Sequence, residues 1–261
     1  MTAPAQDPTP YAGLGPETVL DALDSVGLRG DGRLIQLNSF ENRVFQVFLD
    51  DGRVVVAKFY RPGRWSDAQI LEEHSFAVEL VDAEIPVAAP MPIQIDTASP
   101  LASKASARGS TLVEFATAAG PYRFGVTPRF GGRAPELEDD DTLEWIGRFI
   151  GRMHAVGAQR AFDHRQTLDI DSFGTTHRNW LLEQRIIPLE AESAWRNAAD
   201  AALEAVREAF ATGPAPRILR LHGDCHLGNM LWTDAGPHFV DLDDAVMGLS
   251  LIHISEPTRP Y

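Results

Sequence analysis

The sequence predicts an α+β fold, a β-rich first half followed by a mainly helical second half, on three observations. Residues 34–60, LIQLNSFENRVFQVFLDDGRVVVAKFY, hold three runs dense in β-branched and aromatic residues, and DDG at 50–52 marks a tight hairpin turn. A helical stretch, WSDAQILEEHSFAVELVD, interrupts this half. Beyond PRFGGRAP the apolar spacing turns helical through DTLEWIGRFIGRMHAVG and SAWRNAADAALEAVREAFA.

Taken in order, the proline-rich residues 1–15 read as a flexible leader, and 16–28 as a short helix ending at Gly27. The helix after the third β-run opens with Ser66 and Gln69 at capping-box spacing and sets Ile70, Leu71, His74, Ala77, Val78 and Val81 on one face. Pro86, Pro90 and Pro92 end it, and MPIQI and further short segments up to RFGVTP read as strands. In the helical half, Leu143, Ile146, Phe149, Ile150 and Met153 form one stripe, and Trp195, Ala198, Ala202, Val206 and Phe210 another. RILRLHGD, GNMLWT and HFVDLDDA read as short strands and loops, the last two joined by a turn at DAG.

A formal charge of -14 repels nucleic acid and anionic membrane surfaces, so neither is an expected partner. The chain has no apolar run of about 18 residues, and MTAPAQDPTP lacks the basic start and apolar core of a signal peptide, which points to the cytoplasm. The lone cysteine, Cys225, permits no internal disulfide, in keeping with a reducing compartment. Of 23 basic residues only Lys58 and Lys104 are lysine, so a lysine inside the apolar run VVVAKFY asks for a role that needs an ammonium.

The polar cluster in LHGDCHLGNMLW, residues 221–232, poses the functional question. A zinc site calls for paired Cys and His ligands converging from two segments, and here one cysteine and two histidines share one loop. A Cys225 nucleophile needs a base facing it, whereas His226 is only its neighbour in sequence; Cys225 reads as a small gap-filling residue, with a redox role as the alternative. Spacing favours a third reading. Asp224 precedes Asn229 by five residues, and Asp241 follows in VDLDDA, the pattern of a phosphoryl-transfer site. There a carboxylate accepts the proton of the attacking hydroxyl, and hard oxygen donors, Asn229 and Asp241, suit Mg2+. Lys58 could then bridge phosphates with Glu73 holding it; an ordinary strand lysine paired with Glu72 or Glu73 is the alternative. Asp243 and Asp244 read as solvated loop acids, His222 as a brace for the loop and His154 as a packing neighbour on its helix.

These elements in this order resemble the protein-kinase-like fold, in the branch of aminoglycoside phosphotransferases and choline kinases, whose catalytic loop reads HGD where ordinary protein kinases read HRD. LNSFENRVFQV, VAKFYRPGRW, QILEEHSFA, IPVAAP, GRMHAVG, LRLHGDCHLGN and FVDLDDA narrow the resemblance to bacterial stress-response serine/threonine protein kinases, from about Pro16 to Gly248. The resemblance implies two lobes: an N-lobe, residues 16–127, with an antiparallel sheet and a helix for nucleotide binding, and a mainly helical, incomplete C-lobe, residues 128–248. It implies an ATP- and Mg2+-dependent monomeric enzyme that phosphorylates a serine or threonine of a protein partner. Asp224 becomes the proton acceptor, Asp241 a catalytic carboxylate that also binds magnesium with Asn229, Ser39 a contact to ATP, and Lys58 and Glu73 an ion pair at the nucleotide. It also implies that adenine is read by backbone near Val126, Thr127 and Pro128. The loop NSFENR departs from the G-x-G-x-x-G of typical protein kinases in having no glycine. A small-molecule kinase and an inactive fragment are the alternatives.

The closing residues LSLIHISEPTRPY match the translation of a transposase-based sequencing adaptor. Residues 249–261 are therefore expected to be foreign to the native chain, with an apolar face of the second lobe left uncovered and the protein prone to aggregate.

Overall fold

A computed structural model describes residues 10–212 and 217–249. The chain divides into two compact units, residues 1–136 with 225–243, and residues 137–224 with 244–261. This grouping is not the contiguous split into residues 16–127 and 128–248, because the segment 225–243 groups with the N-terminal unit.

The first unit is built on six antiparallel strands: β1 (Gly30–Leu37), β2 (Arg43–Leu49), β3 (Val54–Phe59), β4 (Ala105–Ala107), β5 (Val113–Thr117) and β6 (Gly120–Pro128). Their order across the sheet is β1-β2-β3-β6-β5-β4. The DDG turn forms as expected, with Gly52 at φ 84, a left-handed conformation that costs glycine little. Alternation buries Phe45, Val47, Leu49, Val55, Ala57 and Phe59 on one sheet face, where Val19, Ala22 and Leu23 of helix α1 (Pro16–Asp24) join the same core. MPIQI is not a strand; Pro90 and Pro92 leave it as an extended segment held by Met91 N–H to Val126 O and Ile93 N–H to Ser110 O. Part of the expected leader is also held, since Tyr11 donates its hydroxyl to Glu41 O at 2.8 Å.

Helix α2 (Asp67–Asp82) carries the full capping box, Ser66 accepting from Gln69 N–H and Gln69 accepting from Ser66 N–H. Its buried face is rotated from the expected stripe. Ile70, Glu73, His74, Phe76, Ala77 and Leu80 are buried, whereas Val78 and Val81 are exposed. Glu73, Phe76 and Leu80 are buried where the two valines were expected, while His74 is interior as expected and hydrogen-bonded on both ring nitrogens, to Tyr60 and Thr111.

Residues 225–243 join this unit through backbone pairing. Strands β8 (Met230–Thr233) and β9 (Gly236–Phe239) form a hairpin, Phe239 N–H donates to Pro86 O, Ala88 N–H to Phe239 O, and Arg133 exchanges two hydrogen bonds with Trp232.

In the second unit, α3 (Asp140–Gly157) is capped by the Asp139 carboxylate, and β7 (Ile218–Leu221) pairs with β10 (Val246–Leu249). Helices α4 (Thr176–Glu183) and α5 (Leu189–Thr212) have no buried residue. The expected stripes are thus only partly interior: Ile146 and Met153 are buried, Leu143, Val206 and Phe210 exposed. Apart from Leu249, the residues 249–261 lie outside the described residues. Among the described residues no helix is long and apolar enough to cross a membrane.

Candidate active site

The face of β3 opposite the core carries Val54, Val56 and Lys58, all half-buried. Register extends this face sideways: Lys58 lies opposite Val44 and Gly125, and Val56 opposite Thr127. Gly125 lets the His74 ring pack close against the strand, and the strands form one wall of a cavity of about 270 Å³. Ser39, from the loop after β1, Glu73 and His74 of α2, and Asn229 and Asp241 of the C-terminal hairpin line the same cavity. Five of the six residues singled out from sequence, Ser39, Lys58, Glu73, Asn229 and Asp241, are brought together here.

The charged partners differ from expectation in one respect. Lys58 Nζ lies 2.9 Å from Asp241 Oδ1 and 3.0 Å from Asp243 Oδ1. Asp243 is not a solvated loop acid; it is 7 % exposed and takes a further hydrogen bond from the buried Asn42 amide. Glu73, 5 % exposed, acts on both Lys58 and Asp243 through its charge. Burial works against the Lys58 ammonium, but Asp243, Asp241 and Glu73 outweigh it and hold the group well above the ordinary lysine range. Its contribution to stability therefore persists through neutral pH and is lost only under strongly alkaline conditions.

Asp241 stands at φ 62, in the left-handed region that aspartate tolerates better than most residues. Such backbone strain persists where surrounding structure imposes it, here the β8–β9 hairpin and the Val240 N–H bond to Asn229 O. Asn229 closes a one-turn 3-10 segment, Leu227–Asn229, capped by the His226 ring, whose Nδ1 accepts from Gly228 N–H at 2.9 Å.

The donor set suits a divalent cation. Three carboxylates, the buried Asp243 and Glu73 and the more exposed Asp241, act on the Lys58 ammonium. Among the described residues no group of three or more His, Cys, Asp or Glu side chains is arranged as a metal cage. Mg2+ does not require one, because it takes one or two protein oxygens and completes its shell with water and substrate phosphates.

Asp224 belongs to the second unit, in the turn after β7, where its N–H meets Nδ1 of the buried His222 at 3.4 Å. His222 therefore touches the loop backbone in the bracing position expected of it.

The burial of Asp243 has a measurable consequence. Burial pushes the Asp243 carboxyl up from 3.8 to about 6; Lys58 opposes the shift, and Glu73 and Asp241 add to it. Between these values the folded protein binds the extra proton, so stability falls as pH rises through the window. Asp243→Asn is expected to flatten the pH dependence of unfolding free energy over that interval in magnesium-free buffer; an unchanged slope would place the proton elsewhere.

Comparison with known proteins places the chain in a family. The family model described as "APH: Phosphotransferase enzyme family" matches residues 33–251. The chain is 42% identical over 239 residues to Stress response kinase A of Escherichia coli (strain K12), covering 90% of this chain and 65% of that protein. It is 43% identical over 235 residues to Serine/threonine protein kinase RdoA of Salmonella typhimurium (strain LT2), with the same coverage, 90% and 65%. The chain thus spans 65% of the length of these curated relatives. Among solved structures, the amicoumacin kinase hAmiN, in complex with AMP-PNP, Ca2+ and Ami, matches 94% of this chain and 71% of its own at a TM-score of 0.71 and 19% identity, a likeness of fold.

Proposed function

Since the chain belongs to the phosphotransferase enzyme family, we propose that it transfers the γ-phosphate of ATP, with Mg2+, to a serine or threonine hydroxyl of a protein. The observation that carries this reading is Lys58 held among Asp241, Asp243 and Glu73 on the wall of a cavity that Ser39 and Asn229 also line. An ammonium in that position binds phosphate oxygens by charge, and its raised proton affinity keeps it cationic while it does so.

In this reading residues 16–127 supply nucleotide contacts and residues 128–248 the catalytic and metal loops. The Ser39 hydroxyl and neighbouring backbone of a glycine-free loop hold phosphate. Asn229 and Asp241 would hold Mg2+, which when bound neutralises charge on the phosphates. Asp224 orients the acceptor hydroxyl and takes its proton. A protein acceptor is supported by the names of the relatives, Stress response kinase A and Serine/threonine protein kinase RdoA.

The test is transfer of labelled γ-phosphate from ATP with Mg2+, offered a mixed protein substrate in one arm and a panel of small alcohols and amino alcohols in another. Label on protein serine or threonine is expected. ATP consumption only in the second arm would reassign the enzyme to small-molecule acceptors, and no transfer in either would sink the reading.

A further inference from the structure

We propose that Asn42 is a positioning residue for the phosphate-binding lysine, fixing Asp243 and through it Lys58; the assignment deepens the kinase reading above and rests on it. Asn42 lies in the loop between β1 and β2, yet it is only 2 % exposed. Its Nδ2 donates to Asp243 Oδ2, while the other oxygen of that carboxylate, Oδ1, sits 3.0 Å from Lys58 Nζ. Its Oδ1 accepts from the backbone N–H of Arg61 at 3.1 Å, just past the end of β3. Its own N–H donates to Ser39 Oγ at 3.3 Å.

The orientation of the amide follows from its partners. A carboxylate only accepts and a backbone N–H only donates, so a flipped amide would lose both bonds. No other side chain of this size supplies a donor and an acceptor in this way. Aspartate would set a second carboxylate against Asp243 in a site already rich in negative charge, and alanine would strip Arg61 N–H of a buried acceptor.

Neighbouring contacts keep the residue from being part of a loose loop. The Glu41 carboxylate takes Arg61 at 3.3 Å and Arg64 at 2.9 Å, and its carbonyl accepts from Tyr11. Asn42 thus ties together the Ser39 loop, through its backbone N–H, and the end of the Lys58 strand and Asp243, through its side chain. Lys58, on a flexible four-carbon stem, needs such a fixed counter-ion to present its ammonium in one place.

The chain has two lysines, Lys58 and Lys104, so lysine-selective 15N NMR gives two side-chain signals, assigned with Lys58→Arg. Asn42→Asp keeps the shape and the acceptor and removes the donor. In it the Lys58 signal is expected to move while the Lys104 signal stays. In turnover, KM for ATP should rise about tenfold or more with KM for the acceptor unchanged, and Asn42→Asp/Asp243→Asn should lose no more than the worse single variant. Asn42→Ser, which removes the amide without adding charge, is carried in parallel in case Asn42→Asp fails to fold. A folded Asn42 variant with the Lys58 signal at its wild-type position, or losses that multiply in the double variant, would overturn the proposal. So would failure of both substitutions to fold, since the residue would then be structural. If the unsubstituted protein transfers no phosphate, the kinase reading fails by itself and the NMR result alone decides the role of Asn42.

Discussion

Asp224→Asn is expected to lower kcat for phosphate transfer by roughly a hundred- to ten-thousand-fold, the usual worth of a positioned general base, and to leave the dissociation constant for ATP near its starting value. The substitution is isosteric and takes away the carboxylate that would accept the proton. The backbone of residue 224 keeps its bond to His222 Nδ1, which holds the turn. The ATP contacts proposed here come from other residues, Ser39 and Lys58, which line the cavity of the first unit. Single-turnover kinetics and nucleotide titration separate the two effects. A loss confined to KM for ATP, with kcat intact, would mean that Asp224 binds nucleotide and accepts no proton.

Gly223→Ala should cost about 3 kcal/mol or more in folding free energy and take activity with it. Gly223 stands at φ 86, where an L side chain is strained, and a β-carbon there would overlap the carbonyl oxygen of Asp244. Neither strand can yield easily, because Leu221 and Val246 begin a four-pair antiparallel ladder immediately beyond the two residues. Relief would require opening β7–β10 or displacing the backbone that carries Asp224. Thermal or urea unfolding measures the loss, and a variant with wild-type stability and turnover would show that the turn has room the close approach does not suggest.

What the sequence determined by itself was local or additive. The Ser66–Gln69 capping box and the DDG turn form where they are written, because each depends on residues within one turn. Strand alternation placed Lys58 on the face opposite the core, because the period of two belongs to the strand itself. The spacing of Asp224, Asn229 and Asp241 was enough to raise phosphate transfer, and the family match over residues 33–251 is what that pattern pointed to.

Only the tertiary structure decided which partners each residue keeps. Helical periodicity says that an apolar face exists, but not how a helix is turned: α2 buries Glu73, Phe76 and Leu80 in place of Val78 and Val81, and α5 buries nothing. The pairing of Asn42 with Asp243, 201 residues apart, leaves no local trace, since an asparagine before a strand and an acid after a hairpin read as ordinary loop residues. The same holds for the company Lys58 keeps. Coulomb energy depends on distance through space, and sequence separation carries no information about it until backbone pairing has brought the 225–243 segment into the N-terminal unit.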